Sequence, residues 1–93
     1  MKRLLLPTKA FVRTAKRLAR KNPDAAEDLR GALELLAEDA FGPGLKTHKL
    51  KGNLAGSWAC SAGYNLRVVF QFVSQNGSEA ILLEAVGTHD QVY

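Results

Sequence analysis

Residues 65–73 read Asn-Leu-Arg-Val-Val-Phe-Gln-Phe-Val, and this stretch decides the fold. Apolar and polar side chains alternate along it with the period of two that predicts a β-strand. One face of the predicted strand carries large apolar side chains, namely Leu66, Val68, Phe70 and Phe72. The other face carries Asn65, Arg67, Val69 and Gln71. An apolar sheet face needs helices packed over it, so Arg67 is expected on the opposite, helix-free face.

Two amphipathic helices precede this strand and can supply the covering layer. Thr8 is the expected N-cap of a helix that runs to about Lys21, and Asn22-Pro23 predicts the start of a second helix that runs to about Ala40. The apolar stripe of the first helix is Phe11, Ala15 and Leu18, and that of the second is Ala26, Leu29, Leu33, Leu36 and Ala40. Because the first helix is basic and the second largely acidic, we expect an antiparallel hairpin with charge pairs across it.

Shorter strands complete the predicted sheet. We expect them at Lys2–Leu6, at Lys49–Leu54, at Trp58–Ala62 and at Ala80–Val86, the last nearly all apolar like a central strand. Residues 74–78 predict a hairpin turn with Asn-Gly at its tip, slightly longer than the two-residue type. The chain therefore predicts an α+β fold, with an N-terminal strand and a two-helix hairpin packed on one face of a small, mostly antiparallel curved sheet. Residues 1–93 are expected to form a single domain.

The charges are segregated along the chain in a way that indicates an anionic partner. The formal net charge is +4, and every charged residue from 8 to 21 is basic. No Asp or Glu occurs from Ala40 to Ser78, whereas Lys46, Lys49, Lys51 and Arg67 fall in that window. For residues 8–21 alone, a solvated helix face explains the pattern equally well.

Other classes of protein fit the sequence poorly. No apolar run approaches the ~20 residues of a membrane span, and the leucines after Lys2-Arg3 are too few for a signal peptide, so a cytoplasmic protein is expected. Cys60 is the single cysteine, which excludes an internal disulfide and suggests a small buried hydrophobe. With one cysteine and two histidines, the chain predicts neither a metal site nor a cofactor.

The stretch Lys46-Thr47-His48-Lys49-Leu50-Lys51-Gly52 combines lysines with one of the two histidines. The other, His89, lies four residues before Tyr93. Basic side chains suit phosphate, and an imidazole among them suits proton transfer. If the fold joins the two stretches, they form an RNA-cleaving site that needs no metal.

Three strings carry a resemblance to a known family: His48-Lys49-Leu50-Lys51-Gly52, then Gly63-Tyr64-Asn65-Leu66-Arg67-Val68-Val69-Phe70, then Val86-Gly87-Thr88-His89-Asp90-Gln91-Val92-Tyr93. In their order and spacing they resemble the YafQ/RelE family of bacterial toxin ribonucleases from type II toxin–antitoxin modules. The resemblance implies an endoribonuclease, or mRNA interferase, that cleaves mRNA in the ribosomal A site and inhibits translation. It also implies a cognate antitoxin protein, through which alone the toxin would oligomerise.

The resemblance also implies roles for individual residues. His48 and His89 are expected to transfer protons, Arg67 to stabilise the phosphate, and Tyr93 to stack on a base or assist proton transfer. The residues expected to bind RNA or its phosphates are Lys46, Lys49, Lys51 and Asn65. The chain departs from YafQ-like members at Ser61, where they have a histidine, and at Asn65, where they have an aspartate.

Two other functions remain open from the sequence. A sister toxin on the same fold, of the ParE type, inhibits DNA gyrase by binding it, and fold alone does not separate the two. An RNA-binding module with a decayed catalytic site is the other alternative. Single residues also have structural alternatives to a role in the site. The lysines could form the solvent side of an edge strand, Arg67 could pair with Glu84, and Trp58 could pack in the core or on the sheet.

Overall fold

The computed structural model describes residues 2–92 and joins their strands into one five-stranded sheet. The elements are strand β1 (Leu4–Pro7), helices α1 (Lys9–Lys21) and α2 (Pro23–Glu38), strands β2 (His48–Lys49), β3 (Trp58–Ala62), β4 (Leu66–Gln75) and β5 (Ser78–Thr88), and the short helix α3 (His89–Val92). The strand order is β1-β5-β4-β3-β2. Only β1 and β5 pair in parallel among these strands, so the predicted α+β fold with a mostly antiparallel sheet is confirmed.

Side-chain caps fix where the two long helices begin. The Thr8 hydroxyl accepts a hydrogen bond from the Phe11 N–H at 3.1 Å, and the Asn22 side chain accepts one from the Ala25 N–H at 3.2 Å. Both predicted starts are confirmed. Helix α2 ends at Glu38, before the predicted Ala40, because Asp39 adopts an extended backbone and its carboxylate accepts from the Phe41 N–H.

The core lies between the two long helices and one face of the sheet. Val68 and Phe70 of β4 are fully buried there, and Phe72 packs against them partly exposed. Helix α2 contributes Leu29, Ala32, Leu36 and, just beyond its end, Ala40, while Leu33 is only partly buried. Cys60 is fully buried in the same cluster, as predicted.

The predicted charge pairs between α1 and α2 are absent from residues 2–92. Arg30, the basic residue of α2, pairs instead with Glu27 and Glu34 of its own helix, its neighbours one turn away. These carboxylates raise the pKa of Arg30, and Arg30 lowers the pKa of Glu27. None of the basic side chains of α1 forms a salt bridge within the same residues, so the surface of α1 keeps its positive charge.

A β-bulge in β5 determines which sheet face the residues after it point to. Val69 pairs with Ala85 but Phe70 pairs with Leu83, so Glu84 is an extra residue between them. The Glu84 carboxylate accepts a hydrogen bond from the Ser57 hydroxyl at 2.7 Å, so it does not pair with Arg67. The bulge changes the phase of the strand, so that Val86 points into the core and Gly87 lies beside Arg67.

One predicted strand and one predicted turn were longer than the structure shows. The strand expected at Lys49–Leu54 is only His48–Lys49, followed by a 3₁₀ turn at Gly52–Leu54, because Gly52 adopts a left-handed φ of 68°. The hairpin turn is shorter than expected. Gln75 pairs with Ser78 and both intervening residues have positive φ, so Asn76-Gly77 forms a two-residue turn.

No helix within residues 2–92 combines the length and the apolar character that crossing a membrane requires.

Candidate active site

Arg67 forms the floor of the candidate site, on the sheet face away from the helices. It lies in β4 between Ser61 of β3 and Gly87 of β5, so only small residues flank it across the sheet. Its Nη1 donates to the Leu66 carbonyl at 2.8 Å, which holds the side chain at the end of β4. A half-buried guanidinium held in this way can bind two oxygens of one phosphate.

His89 forms one side of the site, at the point where β5 passes into α3. The Gln91 side chain accepts a hydrogen bond from the Thr88 N–H at 2.8 Å and so folds α3 back over the strand. A Cβ at Gly87 would lie 2.7 Å from Gln91 Oε1 and 3.2 Å from Val92 Cγ1, so a larger residue would displace the Gln91 side chain from its hydrogen bond with Thr88. The His89 ring is exposed, and its Nδ1 lies 3.6 Å from Asp90 Oδ1, an ion pair when the ring is protonated.

Lys46 forms the opposite side. Leu45 is buried, and its carbonyl accepts a hydrogen bond from the Ser61 N–H at 2.7 Å, which ties this loop to β3. Lys46 then adopts a left-handed φ of 54°, which is uncommon for a side chain with a Cβ and occurs often at functional sites.

These three sides enclose an open groove of about 520 Å³. Its lining includes four of the residues predicted from the sequence, namely Lys46, Asn65, Arg67 and His89. Two cations and an imidazole thus share one groove, in which Asp90 is the carboxylate among the lining residues. The arrangement can neutralise a phosphate and move a proton beside it.

His48 lies on the same sheet face but does not line this groove. It pairs with Ala59 of β3, which pairs with Val69 of β4, so it lies two strand spacings, about 10 Å, from β4. Its Nδ1 lies 2.9 Å from the Lys46 carbonyl. Because a carbonyl only accepts, Nδ1 carries the proton, and Nε2 is the proton-accepting nitrogen of the neutral ring.

The other predicted residues lie elsewhere. Lys49 pairs with Trp58, and the alternation of the strand puts both on the helix side of the sheet, with the ammonium 5.4 Å from the Trp58 ring centroid. Lys49 was expected to bind RNA or its phosphates, but its register with β3 turns it away from the face that carries Arg67. Lys51 lines a separate groove with Val92. Tyr93 lies outside the described residues.

Asp90 and Tyr64 are among the lining residues that were not selected as site residues from the sequence. Asp90 follows His89 directly, and this adjacency to a candidate histidine was the available signal. Tyr64 occurs within the Gly63–Phe70 string, but nothing in the sequence shows that its ring is left in solvent. Among residues 2–92, no group of three or more His, Cys, Asp or Glu side chains is arranged to hold a metal ion.

Comparison with known proteins gives a family match and several shared folds. The family profile described as "Bacterial toxin of type II toxin-antitoxin system, YafQ" matches residues 3–93. No curated protein matches the chain.

Among solved structures, YafQ from E. coli strain BL21(DE3) is 16% identical, with a TM-score of 0.76 and 99% of each chain covered. A YoeB/ParE toxin from Agrobacterium tumefaciens is 17% identical, with a TM-score of 0.77 and coverage of 92% of this chain and 98% of that one. The E. coli DinJ–YafQ toxin–antitoxin complex matches with 17% identity, a TM-score of 0.74 and coverage of 100% and 99%. These matches establish a shared fold.

Proposed function

The chain belongs to the YafQ family of toxins of bacterial type II toxin–antitoxin systems, and we propose that it is a metal-independent endoribonuclease that cleaves mRNA. One observation carries the proposal: Lys46, Arg67 and His89, which are distant in sequence, line a single open groove. RNA supplies its own nucleophile, the 2′-hydroxyl, so the protein needs to provide only charge and proton transfer. The domain that does this spans residues 1–93.

The reaction divides into three tasks. A base removes the proton of the 2′-hydroxyl, whose oxygen then attacks phosphorus. Positive charge stabilises the pentacovalent phosphate, and Arg67 and Lys46 provide it from the floor and one side of the groove. An acid protonates the departing 5′-oxygen. The P–O5′ bond breaks, and the products are a 2′,3′-cyclic phosphate and a 5′-hydroxyl.

The two histidines take the proton-transfer steps. His48 offers Nε2 as a proton acceptor, because its Nδ1 donates to the Lys46 carbonyl. It lies outside the groove and two strands from β4, so we assign it the base only for an RNA whose 2′-hydroxyl extends across β3 towards it. We assign the acid to His89, because Asp90 lies at ion-pair distance from its ring and can hold the protonated form in place. Asn65 orients the RNA, Lys51 contacts a more distant phosphate, and Tyr93 stacks on a base or assists proton transfer. Lys49, on the other face, has no part in this scheme.

The partners follow from the same proposal. The substrate is mRNA held in the ribosomal A site in the cytoplasm, and the basic surface of α1 faces an anionic partner. A cognate antitoxin neutralises the toxin with an acidic or amphipathic segment, and the toxin oligomerises only through it. Such a complex should weaken as salt is raised. Affinity that is equal at low and high salt would count against this surface.

The proposal is tested by inducing the chain in cells with and without the adjacent small open reading frame, and by mapping new mRNA 5′ ends. We expect codon-phased ends for the wild type and none for His89→Ala. Because His89 is exposed, the variant should keep its fold, as circular dichroism can verify. Growth arrest without new ends would favour gyrase binding, and binding to RNA without cleavage would favour the decayed module. Full toxicity of His89→Ala would remove His89 from the mechanism.

A further inference from the structure

A second groove, of about 620 Å³, lies next to the candidate active site. It runs between the end of α1, the start of α2 and the turn that joins β3 to β4. Three residues, Tyr64, Asn65 and Thr88, line both grooves and form a shared wall between them. The second groove lies on the helix side of the sheet, because its lining includes Leu66 and Val86 of the core, whereas Arg67 faces the opposite side. A chain bound at Arg67 reaches the second groove by passing over this wall at the end of the sheet.

Tyr64 lies on this shared wall with its ring in solvent. It is 91% exposed, more than Leu4, Leu35 or Phe41, the other large apolar side chains that are exposed within residues 2–92. Its ring therefore contributes little to the core. An exposed aromatic ring beside cationic side chains is a common platform on which proteins stack the bases of single-stranded nucleic acids.

The far wall of the second groove carries side chains that can bind the phosphate and the base edge of a nucleotide. Arg17 and Lys21 of α1 line it, and neither forms a salt bridge within residues 2–92. Both are placed to neutralise a phosphate. Asp24 and Asp28 of α2 also line the groove, and carboxylates accept hydrogen bonds from the amino groups of bases.

From these features we infer that the second groove is a nucleotide subsite beside the scissile phosphate, with Tyr64 as its stacking platform. Arg17 and Lys21 hold the phosphate of that nucleotide, and the aspartates select a base that carries an amino group, above all guanine, which offers adjacent N1–H and N2–H donors. This inference rests on the proposed RNA substrate. It adds positioning residues that the family resemblance does not supply.

The ring is tested by binding of a short single-stranded RNA in which 2′-O-methyl groups prevent cleavage, measured by fluorescence anisotropy on the full chain. Tyr64→Ala should weaken binding by between about fivefold and a hundredfold, the range for loss of one stacked base. Tyr64→Phe keeps the ring and should bind within about twofold of the wild type. Equal binding by all three proteins would overturn the stacking role.

The phosphate contact is tested with two double variants of matched composition. Arg17→Ala with Lys21→Ala should weaken RNA binding and reduce its salt dependence, because two cations of the groove are lost. Arg13→Ala with Lys16→Ala removes one arginine and one lysine from the same helix, but these residues line other surfaces. Equal losses of RNA affinity in the two double variants would show that α1 acts only through its net charge, and would overturn the subsite.

Base selection is tested with the same 2′-O-methylated RNA by changing the base of the nucleotide next to the scissile phosphate and measuring binding. The wild type should bind RNA with guanine there more tightly than RNA with uracil, and Asp28→Asn should reduce this difference.

The inference and the proposed function fail in different ways. A wild type that cleaves mRNA while Tyr64→Ala cleaves equally, with unchanged base preference, refutes the subsite alone. A wild type that neither binds the short RNA nor produces new mRNA 5′ ends in cells refutes both, and a Tyr64→Ala variant that loses only antitoxin affinity assigns the groove to the antitoxin instead.

Discussion

The two faces of the sheet are built by the same strands, yet their side chains have different tasks. In β4, Val68 and Phe70 point towards the helices and are fully buried, whereas Arg67, between Ser61 and Gly87, faces the open groove. In β2, Lys49 lies over Trp58 on the helix side and His48 lies on the open side. Neighbouring residues in one strand therefore divide between stability and the proposed chemistry. Substitutions on the two faces should separate the two properties.

The largest expected effect is on the helix side, at Phe70. Phe70→Ala should lower the free energy of unfolding by about 3–5 kcal/mol, because it removes a fully buried ring and leaves a cavity in the core. Urea denaturation followed by far-UV circular dichroism measures this. Phe70→Leu fills most of the space and should lose clearly less. A loss below about 1 kcal/mol for Phe70→Ala would contradict the division between the faces.

The next effect is on the open side, at Arg67. Arg67→Ala should reduce cleavage on programmed ribosomes by about 10²–10³, as expected for a group that stabilises transition-state charge. Arg67→Lys should recover only part of the rate, since an ammonium does not make the two-pronged contact. The free energy of unfolding should change by less than about 1 kcal/mol in both variants. An Arg67 variant that is much less stable but cleaves at the wild-type rate would show that Arg67 serves stability and not the chemistry.

Lys46 and Lys49 provide a smaller and sharper comparison, because they carry the same charge in one short segment. Lys46→Ala should reduce cleavage by about tenfold, because Lys46 lines the groove. Lys49→Ala should cleave at close to the wild-type rate, because its side chain lies over Trp58 on the other face. Parallel rate measurements on both variants decide the matter. Equal losses would mean that net charge, rather than position, controls the rate.

The smallest effect near neutral pH concerns Cys60, which burial in the core protects. Burial raises the pKa of its thiol to about 12 from an ordinary value of 9.0. Below pH 9 the thiol is protonated in both the folded and the unfolded chain, so it adds no pH dependence. Between about pH 9 and 12 only the unfolded chain ionises, so stability should fall by about 1.4 kcal/mol per pH unit through this group.

The measurement for Cys60 is a comparison of unfolding free energies between the wild type and Cys60→Ala across this pH range, since other groups titrate there and cancel in the difference. A thiol reagent should also modify Cys60 only when the chain unfolds. Rapid modification of the native chain at pH 8 would show that the strand opens locally.

Much of the fold was predictable because it depends on local patterns. The alternation in residues 65–73 predicted β4 and the face of Arg67, and Thr8 and Asn22 predicted the helix starts. The bulge at Glu84 was not predictable, because one charged residue in the otherwise apolar run Ala80–Val86 does not show that an extra residue is inserted there. The phase of β5 beyond it depends on pairing with β4, which is a tertiary property.

The same distinction holds for the site. Lys46, Asn65, Arg67 and His89 were predicted and line one groove. The face of Lys49 could not be read from the sequence, because it depends on the register in which β2 pairs with β3, and that register places Lys49 opposite Trp58 on the helix side. The place of Tyr64 between two grooves depends on how α1 and α2 lie against the β3–β4 turn, which no motif encodes.

Trp58, the single tryptophan of the chain, lies within a cluster of rings on the helix side, 5.3 Å from Phe41 and 5.4 Å from Phe72 between centroids. Its intrinsic emission should therefore change sharply when the core opens and hardly at all when RNA occupies the groove on the opposite face. One cuvette thus offers two independent signals, tryptophan emission for the integrity of the toxin and a dye on the RNA for occupancy. A variant that loses binding while its emission spectrum stays native has lost a contact and not its fold.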